Sequence, residues 1–271
     1  MPELPEVETS KRGISPHILG KQFKQIIIRQ PQLRWPVPTE ISQILPELTL
    51  NSVERRGKYL LLSTSKGTLI LHLGMSGNLR ITQPEQEAGK HDHVDFIFAD
   101  NTVLRLTDPR KFGAVLWTEQ TVNQHPLLSS LGPEPLSTEF TASYLQQRAS
   151  NRRIPIKSLI MDSHIVVGVG NIYASESLFL AGIQPTRAAG EVNLDEFIRL
   201  TEAIKSVLQQ AIVQGGTTLR DFTNAQGKPG YFKQALRVYG RQGQPCINCQ
   251  RPIEHLKLAQ RASYFCSHCQ L

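Results

Sequence analysis

The sequence predicts an α+β chain of more than one domain: a β-rich first half, a helical second segment and a small cysteine-stapled tail. Three observations predict it. Short runs rich in Val, Ile, Leu and Phe recur up to residue 118, an apolar stripe at spacings of three and four occupies 197–212, and all four cysteines fall within the last 26 residues. The length of 271 residues agrees, since at roughly 100 to 200 residues per domain it accommodates two. With 39% hydrophobic residues the chain can bury proper cores. No stretch approaches the roughly 18 uncharged apolar residues of a membrane span. The opening Met1-Pro2-Glu3-Leu4-Pro5-Glu6 carries two acids and two prolines where a signal peptide needs a basic start and an apolar run, so a bacterial cytoplasmic location is expected. Against 23 Asp+Glu stand 30 Lys+Arg, a formal +7, and this excess points to a polyanionic partner.

The elements follow in order. Leu4-Pro5-Glu6-Val7-Glu8-Thr9 opens a short helix, with Pro5 in the first turn and acids near the positive end of the dipole. Strands are predicted over 25–29, 59–64, 68–73, 94–99, 102–106 and 114–118, with Lys66-Gly67 and Asp100-Asn101 as hairpin turns, a sandwich or barrel pattern. Past Gly132-Pro133-Glu134-Pro135 the texture turns helical, which sets a boundary near 133 to 136. Phe197, Leu200, Ile204, Val207, Leu208, Ala211 and Ile212 form one apolar stripe, Asn193 and Glu196 resemble a capping box, and Gly215 is placed to end that helix.

Between two helical stretches lies Val167-Gly168-Val169-Gly170-Asn171-Ile172-Tyr173. Its glycines allow positive φ and close backbone approach, and Asn171 is placed to cap the next helix. Without a preceding strand or a third glycine a dinucleotide fold is not expected. Two readings stand level: a plain helix-helix turn, or a turn presenting helix N-terminal amides to a DNA backbone.

Cys246 and Cys249, then 16 intervening residues, then Cys266 and Cys269 fall in the spacing window of tetrahedral zinc sites. A pair of disulfides is the alternative, disfavoured by a reducing compartment. Four thiolates close the coordination shell, so one zinc ion would be structural. From Tyr231 to Leu271 the charged residues are Lys233, Arg237, Arg241, Arg251, Lys257 and Arg261 against Glu254 alone, so the tail holds +5 of the chain's +7. Such an element is suited to lie along phosphates.

The N-terminus offers chemistry. Removal of the methionine before the small residue Pro2 would leave a free proline amine, and an α-amine with a pKa near 8 is substantially a nucleophile at neutral pH. Condensed with an aldehyde, a secondary amine gives an iminium cation that needs no further protonation. Glu3 beside it is placed for acid-base help. By residue type alone the competing reading is an ordinary polar terminus.

Resemblance decides between them. Met1 to Thr9, Arg56-Gly57-Lys58-Tyr59-Leu60, His72-Leu73-Gly74-Met75-Ser76-Gly77, Lys90-His91-Asp92-His93, Asp108-Pro109-Arg110-Lys111-Phe112-Gly113, Leu131-Gly132-Pro133-Glu134-Pro135-Leu136, the 167–173 turn and the cysteine tail together resemble the bacterial formamidopyrimidine-DNA glycosylase family, from end to end. The resemblance implies an α+β multidomain fold: an N-terminal catalytic β-sandwich over 1–133, a helix-two-turn-helix DNA-binding domain over 134–230 and a C-terminal four-cysteine zinc-finger β-hairpin over 236–271. DNA is expected in a basic cleft between domains.

It also implies a base-excision repair enzyme, likened to a bifunctional glycosylase and abasic-site lyase, that removes 8-oxoguanine and formamidopyrimidines and cuts the strand by β,δ-elimination. Pro2 would attack C1′, Glu3 act on the sugar, Lys58 donate the proton in β-elimination and Arg261 in δ-elimination. For Lys58 the residue-level alternative is a phosphate contact within the run Arg55-Arg56-Lys58. His91-Asp92-His93 lacks a third metal ligand, and the resemblance makes His91 a DNA contact instead, along with Arg110 and Arg152, with Lys157 and Asn171 on phosphates. Met75, Arg110 and Phe112 match residues that fill the gap left by an extruded nucleotide; the alternative for Met75 and Phe112 is the core. The segment 217–231 resembles a loop over the flipped base. The expected partner is double-stranded DNA containing oxidised purines or abasic sites, bound by a monomer associated with the nucleoid and with no membrane. The rivals are an endonuclease VIII-like enzyme for oxidised pyrimidines, against which Leu4-Pro5 and the Met75, Arg110, Phe112 set speak, and a non-catalytic zinc-finger DNA binder.

Overall fold

A computed structural model describes residues 2–215 and 236–271, so Met1 and the expected loop at 217–231 lie outside the described residues. The chain forms two compact units, the first running to Ser129 and the second holding Ser130–Val213 and residues 236–271.

The first unit opens with α1 (Leu4–Ile18), longer than the short helix expected: 15 residues, carried through Pro16 in its last turn. Glu3 is its N-cap and Glu6 lies at N3, and the two close a capping box in which the Glu3 N–H donates to Glu6 Oε2 at 2.9 Å. Eight strands follow: β1 (Phe23–Ile28), β2 (Ser52–Arg56), β3 (Tyr59–Ser63), β4 (Thr68–His72), β5 (Asn78–Thr82), β6 (Asp92–Phe98), β7 (Val103–Thr107) and β8 (Ala114–Thr118), with the short helix α2 (Ile41–Ile44) between β1 and β2 and α3 (Pro126–Ser129) at the end. They pair antiparallel as two sheets, β1-β6-β7-β5 and β2-β3-β4-β8. Alternate residues point inward from both: Phe96 and Phe98, Leu104 and Leu106 from one, Leu60 and Leu62, Leu69 and Leu71 from the other. Val7, Ile14 and Ile18 of α1 join the same core. This is the expected sandwich. β2 and β5 escaped the sequence because each is an edge strand: Ser-Val-Glu-Arg-Arg has no fully buried position, and Asn78–Thr82 is short and half polar.

On the other side of the β6-β7 pair lies a buried ion cluster. Arg105, 2% exposed, grips Asp95 with two hydrogen bonds of 2.8 Å, and Arg29 adds a third at 2.7 Å. Burial pushes the Asp95 pKa up, but the Arg105 and Arg29 hydrogen bonds outweigh it and hold the carboxyl below its ordinary range.

In the second unit α4 (Ala142–Ala149) starts at Thr141, whose Oγ1 accepts the Tyr144 N–H at 3.1 Å; α5 (Ile156–Ile160), α6 (Asn171–Ala181) and α7 (Leu194–Val213) follow. Every residue of the sequence-read stripe on α7 is buried. Its capping box is present, with Glu196 N–H on Asn193 Oδ1 at 3.0 Å and Asn193 N–H on Glu196 Oε2 at 2.8 Å. α6 is buried on nearly every face, its polar Ser175, Glu176 and Ser177 included. β9 (Glu254–Leu258) and β10 (Arg261–Phe265) form the tail hairpin. An isolated hairpin is marginal in water, and this one packs into the helical unit. Phe179 of α6 joins Val238, Cys246, Ile253 and Cys266 in one cluster, and the wholly buried Glu176 carboxylate accepts the backbone N–H groups of Arg237, Val238 and Tyr239 at 2.8 to 2.9 Å. Helices and hairpin therefore form one compact body. Among the described residues no helix is long and apolar enough to cross a membrane.

Removing one partner of a buried pair leaves an uncompensated charge, so Asp95→Ala should cost about 3–5 kcal/mol in urea denaturation of the whole chain. Because the folded Asp95 is depressed, its contribution is present above the ordinary carboxylate pKa and lost as pH falls through the folded value. The variant should accordingly show a flatter acid limb in stability against pH.

Candidate active site and metal centre

Pro2 and Glu3 head α1, and both are buried, Glu3 to 3% exposure. The helix is fastened to β2 through Glu8, which accepts from Arg55 Nε at 2.9 Å and pairs with Lys11 at 3.1 Å. Burial pushes the Glu8 pKa up, yet Arg55, Lys11 and Arg12 together hold it below its ordinary value. The same Arg55 guanidinium donates through Nη1 to the Gly57 carbonyl at 3.0 Å. One side chain thus joins the helix of Pro2 to the turn that presents Lys58. The sequence reading gave Arg55 only a place in a basic run.

Near Lys58, the His72 and Tyr59 rings lie 4.9 Å apart on paired strands. His72 Nδ1 accepts the Gly74 N–H at 3.0 Å, so the ring proton sits on Nε2. Burial, reinforced by the positive charges of Lys58 and Arg34, pushes the His72 pKa down to about 4. At neutral pH it therefore adds no charge beside Lys58. His72 stands in a motif that carried the resemblance, but residue type and spacing did not reveal this role.

Met75 is 38% and Phe112 44% exposed, so neither belongs to the core. They sit on adjacent loops. Gly74 has φ +61°, and a Cβ there would come within 2.3 Å of the Phe112 carbonyl carbon, so only glycine permits this approach. The Arg110 guanidinium is exposed and lies 5.1 Å from the centroid of the Phe112 ring. His91 is partly buried, while His93 is buried with Nε2 2.7 Å from the Asp108 carbonyl. Neither belongs to a metal-ligand group among the described residues.

In the second unit two expectations need correction. Lys157 is not an open phosphate contact: it is 1% exposed, and its ammonium donates to the Ala262 carbonyl at 3.0 Å and Ser263 Oγ at 2.7 Å. A short helix facing a hairpin can bury a long cationic stem when the hairpin supplies acceptors, which residue type does not reveal. Asn171 is the first residue of α6 and not its cap, which is Gly170; its Nδ2 donates to the same Ala262 carbonyl at 2.9 Å. Both side chains hold the strand next to Arg261. Arg261 itself is exposed and follows a tight turn in which Ala259 and Gln260 have φ +45° and +62°. Arg152 is partly buried after α4.

The four cysteine sulfurs lie within 4.8 Å of one another, with Cys249 to Cys266 at 3.5 Å and Cys246 to Cys269 at 3.9 Å. These exceed a disulfide of about 2.04 Å. They bracket the edge of roughly 3.8 Å that a tetrahedron with Zn–S of about 2.3 Å requires. Burial pushes the Cys269 thiol up to about 12, with the three neighbouring sulfurs adding to the shift. Cys246, despite burial, is drawn down to about 7 by the Asn248 and Cys249 N–H groups. The donor set fits one zinc ion, whose charge lets four thiolates share the site.

Comparison with known proteins covers the chain. Residues 1–115 match the formamidopyrimidine-DNA glycosylase N-terminal domain, 131–223 the H2TH domain of the same proteins, and 243–271 a zinc finger found in FPG and IleRS. Formamidopyrimidine-DNA glycosylases of Photobacterium profundum and Syntrophotalea carbinolica are 57% and 54% identical over 270 residues, covering 100% of both chains in each case. Among solved structures, the MutM (FPG) protein of Thermus thermophilus is 36% identical with TM-score 0.89, covering 99% of this chain and 98% of its own. The Lactococcus lactis Fpg complexed with DNA containing an abasic site is 33% identical with TM-score 0.90 and 99% coverage of both.

The zinc centre supplies most of the hairpin's own stability, so Cys249→Ser should release zinc, loosen 236–271 and abolish DNA binding while the sandwich stays folded. Zinc content by atomic absorption, read with hydrogen exchange of β9 and β10, checks it. A zinc-free variant with a protected hairpin would contradict the assignment.

Proposed function

The chain belongs to the formamidopyrimidine-DNA glycosylase family, and from that membership we propose that it is a bifunctional DNA glycosylase and abasic-site lyase of base excision repair. It excises 8-oxoguanine and formamidopyrimidines and then cleaves the strand by β,δ-elimination. The observation that carries this reading is the Pro2-Glu3 pair at the head of a helix anchored in the core. A nucleophile must be held still, and chain termini usually are not.

With Met1 removed, the Pro2 nitrogen attacks C1′ of the damaged nucleotide. The glycosidic C–N bond breaks, the base departs with its electron pair, and Glu3 moves the proton that opens the sugar. Abstraction of a C2′ proton sends its electron pair into the resulting iminium to give an enamine, and that pair returns to expel the 3′ phosphate, which leaves with the C3′–O bonding pair while Lys58 acts as proton donor; loss of the 5′ phosphate follows with Arg261 in that role. His91, Arg110, Arg152 and Asn171 contact the DNA, and Met75, Arg110 and Phe112 fill the space of the extruded nucleotide. Lys157 serves by bracing the hairpin. The partner is double-stranded DNA with oxidised purines or abasic sites. The enzyme works as a monomer in the bacterial cytoplasm, on the nucleoid. The functional division is 1–133, 134–230 and 236–271.

Two outcomes are expected. Borohydride should trap Pro2 on abasic-site DNA, Pro2→Gly should trap less well, and Glu3→Gln should keep DNA binding while losing about 10² to 10⁴ in 8-oxoguanine excision. Mass spectrometry that placed the adduct on Lys58 with Pro2 free would move the nucleophile. Affinity should fall steeply with salt, with Arg152→Ala lowering the log-log slope by about 1 and Lys157→Met leaving it unchanged. Fluorescence anisotropy across a salt series reads both.

A further inference from the structure

We infer that Asp108 is the positioning residue that locks the Met75 loop and the Arg110-Phe112 loop into one rigid wedge, with Ser76 as its link across the loops. This rests on the reading that Met75, Arg110 and Phe112 occupy the gap left by an extruded nucleotide.

The two loops face a mechanical problem. Residues 73–77 join β4 to β5, residues 108–113 join β7 to β8, and both carry large exposed side chains at their tips. A side chain that replaces a base in a stack must hold its place against base pairs that tend to close again, so loose tips would do little work. Asp108 answers this from beneath. It is 0% exposed, and its Oδ1 accepts the Ser76 hydroxyl at 2.8 Å and the Arg110 N–H at 3.3 Å, while Oδ2 accepts the Gly113 N–H at 2.7 Å. The Ser76 oxygen accepts the Arg110 N–H in turn, at 3.2 Å. One carboxylate therefore fixes both ends of its own loop and, through one hydroxyl, the neighbouring loop.

Its backbone extends the lock. The Asp108 N–H donates to the His91 carbonyl at 2.9 Å, and its own carbonyl accepts the Lys111 N–H at 3.2 Å and lies 2.7 Å from His93 Nε2. His91, a further proposed DNA contact of this unit, is thus tied to the same residue. Close approach does the rest: a Cβ on Gly113 would come within 2.9 Å of the His72 carbonyl and 3.0 Å of Asp108 Oδ2. The loops thus approach each other backbone to backbone at Gly74 and Gly113.

The competing account is that Asp108 merely caps a turn needed for folding. The two accounts separate on reactions that differ in how much base displacement they need. Ser76→Ala removes only the link across the loops and leaves the Asp108 bonds to Arg110 and Gly113; Asp108→Asn weakens the whole lock. In the zinc-loaded protein with Met1 removed, Ser76→Ala should stay folded with unchanged zinc content, its melting temperature lowered only by the few degrees that one lost hydrogen bond costs. It should excise 8-oxoguanine paired with cytosine about tenfold more slowly, the scale of one lost hydrogen bond. Cleavage of an abasic site, where no damaged base has to be unstacked, should change far less. Phe112→Ala should slow the same excision, and Ser76→Ala added to it should cost nothing more, because both act through one wedge. Additive effects, or equal losses on both substrates, would sink the inference. So would a Ser76→Ala variant as fast as the parent while Phe112→Ala is slow, which leaves the gap-filling reading standing. Unchanged excision in Met75→Ala, Arg110→Ala and Phe112→Ala alike would remove that reading itself.

Discussion

The constraint on which this molecule turns is that its proposed nucleophile is a chain terminus. Ends of chains fray because nothing holds them on one side. Here the first helix is drawn into the sandwich core by Leu4, Val7, Ile14 and Ile18, all 0% exposed. Apolar burial fixes its axis, but burial is non-directional and would tolerate rotation or sliding. Direction comes from polar contacts: the Glu3–Glu6 cap at the start and the Arg55–Glu8 pair little more than a turn later. Since Arg55 also holds Gly57, a planar, always charged group ties the turn of Lys58 to α1.

The second unit solves a different problem with similar means. A tail of 36 described residues with one hairpin has too little apolar surface to fold alone. Four sulfurs around a cation replace the missing core, and buried polar groups on the helices aim the result. Glu176 clamps three successive amides before the hairpin, while Lys157 and Asn171 meet on one carbonyl beside Arg261. Arg261 of the tail remains at the surface, while Lys157 of α5, outside the tail, is buried against the hairpin.

How much was legible follows from which forces write periodic patterns. Inward alternation in β3, β4, β6 and β7 and the stripe of α7 are burial written along the chain, and the sequence displays them directly. The cysteine spacing is coordination geometry, equally local. β2 and β5 were hidden because neither of these edge strands alternates cleanly between buried and exposed positions, and α1 was underread because the distinctive residues end at Thr9 while the helix runs on through Pro16 to Ile18. Pro2, Glu3 and Lys58 owed their roles to family resemblance. Arg55, His72, Asp108 and the true surroundings of Lys157 were not readable, because each is defined by partners distant in sequence, and a buried charge looks on paper like any solvated one.

That last class is where the stiffness of the proposed site resides. Apolar packing gives this fold its bulk stability, yet the residues that would meet DNA, Met75, Arg110 and Phe112, lie outside it on exposed loops. Loops of that kind keep a fixed shape only if their backbone groups find partners that do not compete with water. A wholly buried carboxylate is such a partner: left with its bonds unmade it is very costly to bury, so the loops cannot drift without exposing or orphaning it. The same reasoning covers Glu176, which accepts the three backbone amides that lead into the tail. In each case an acid sunk under a working surface converts the penalty for burying charge into a single permitted geometry for the segment above it.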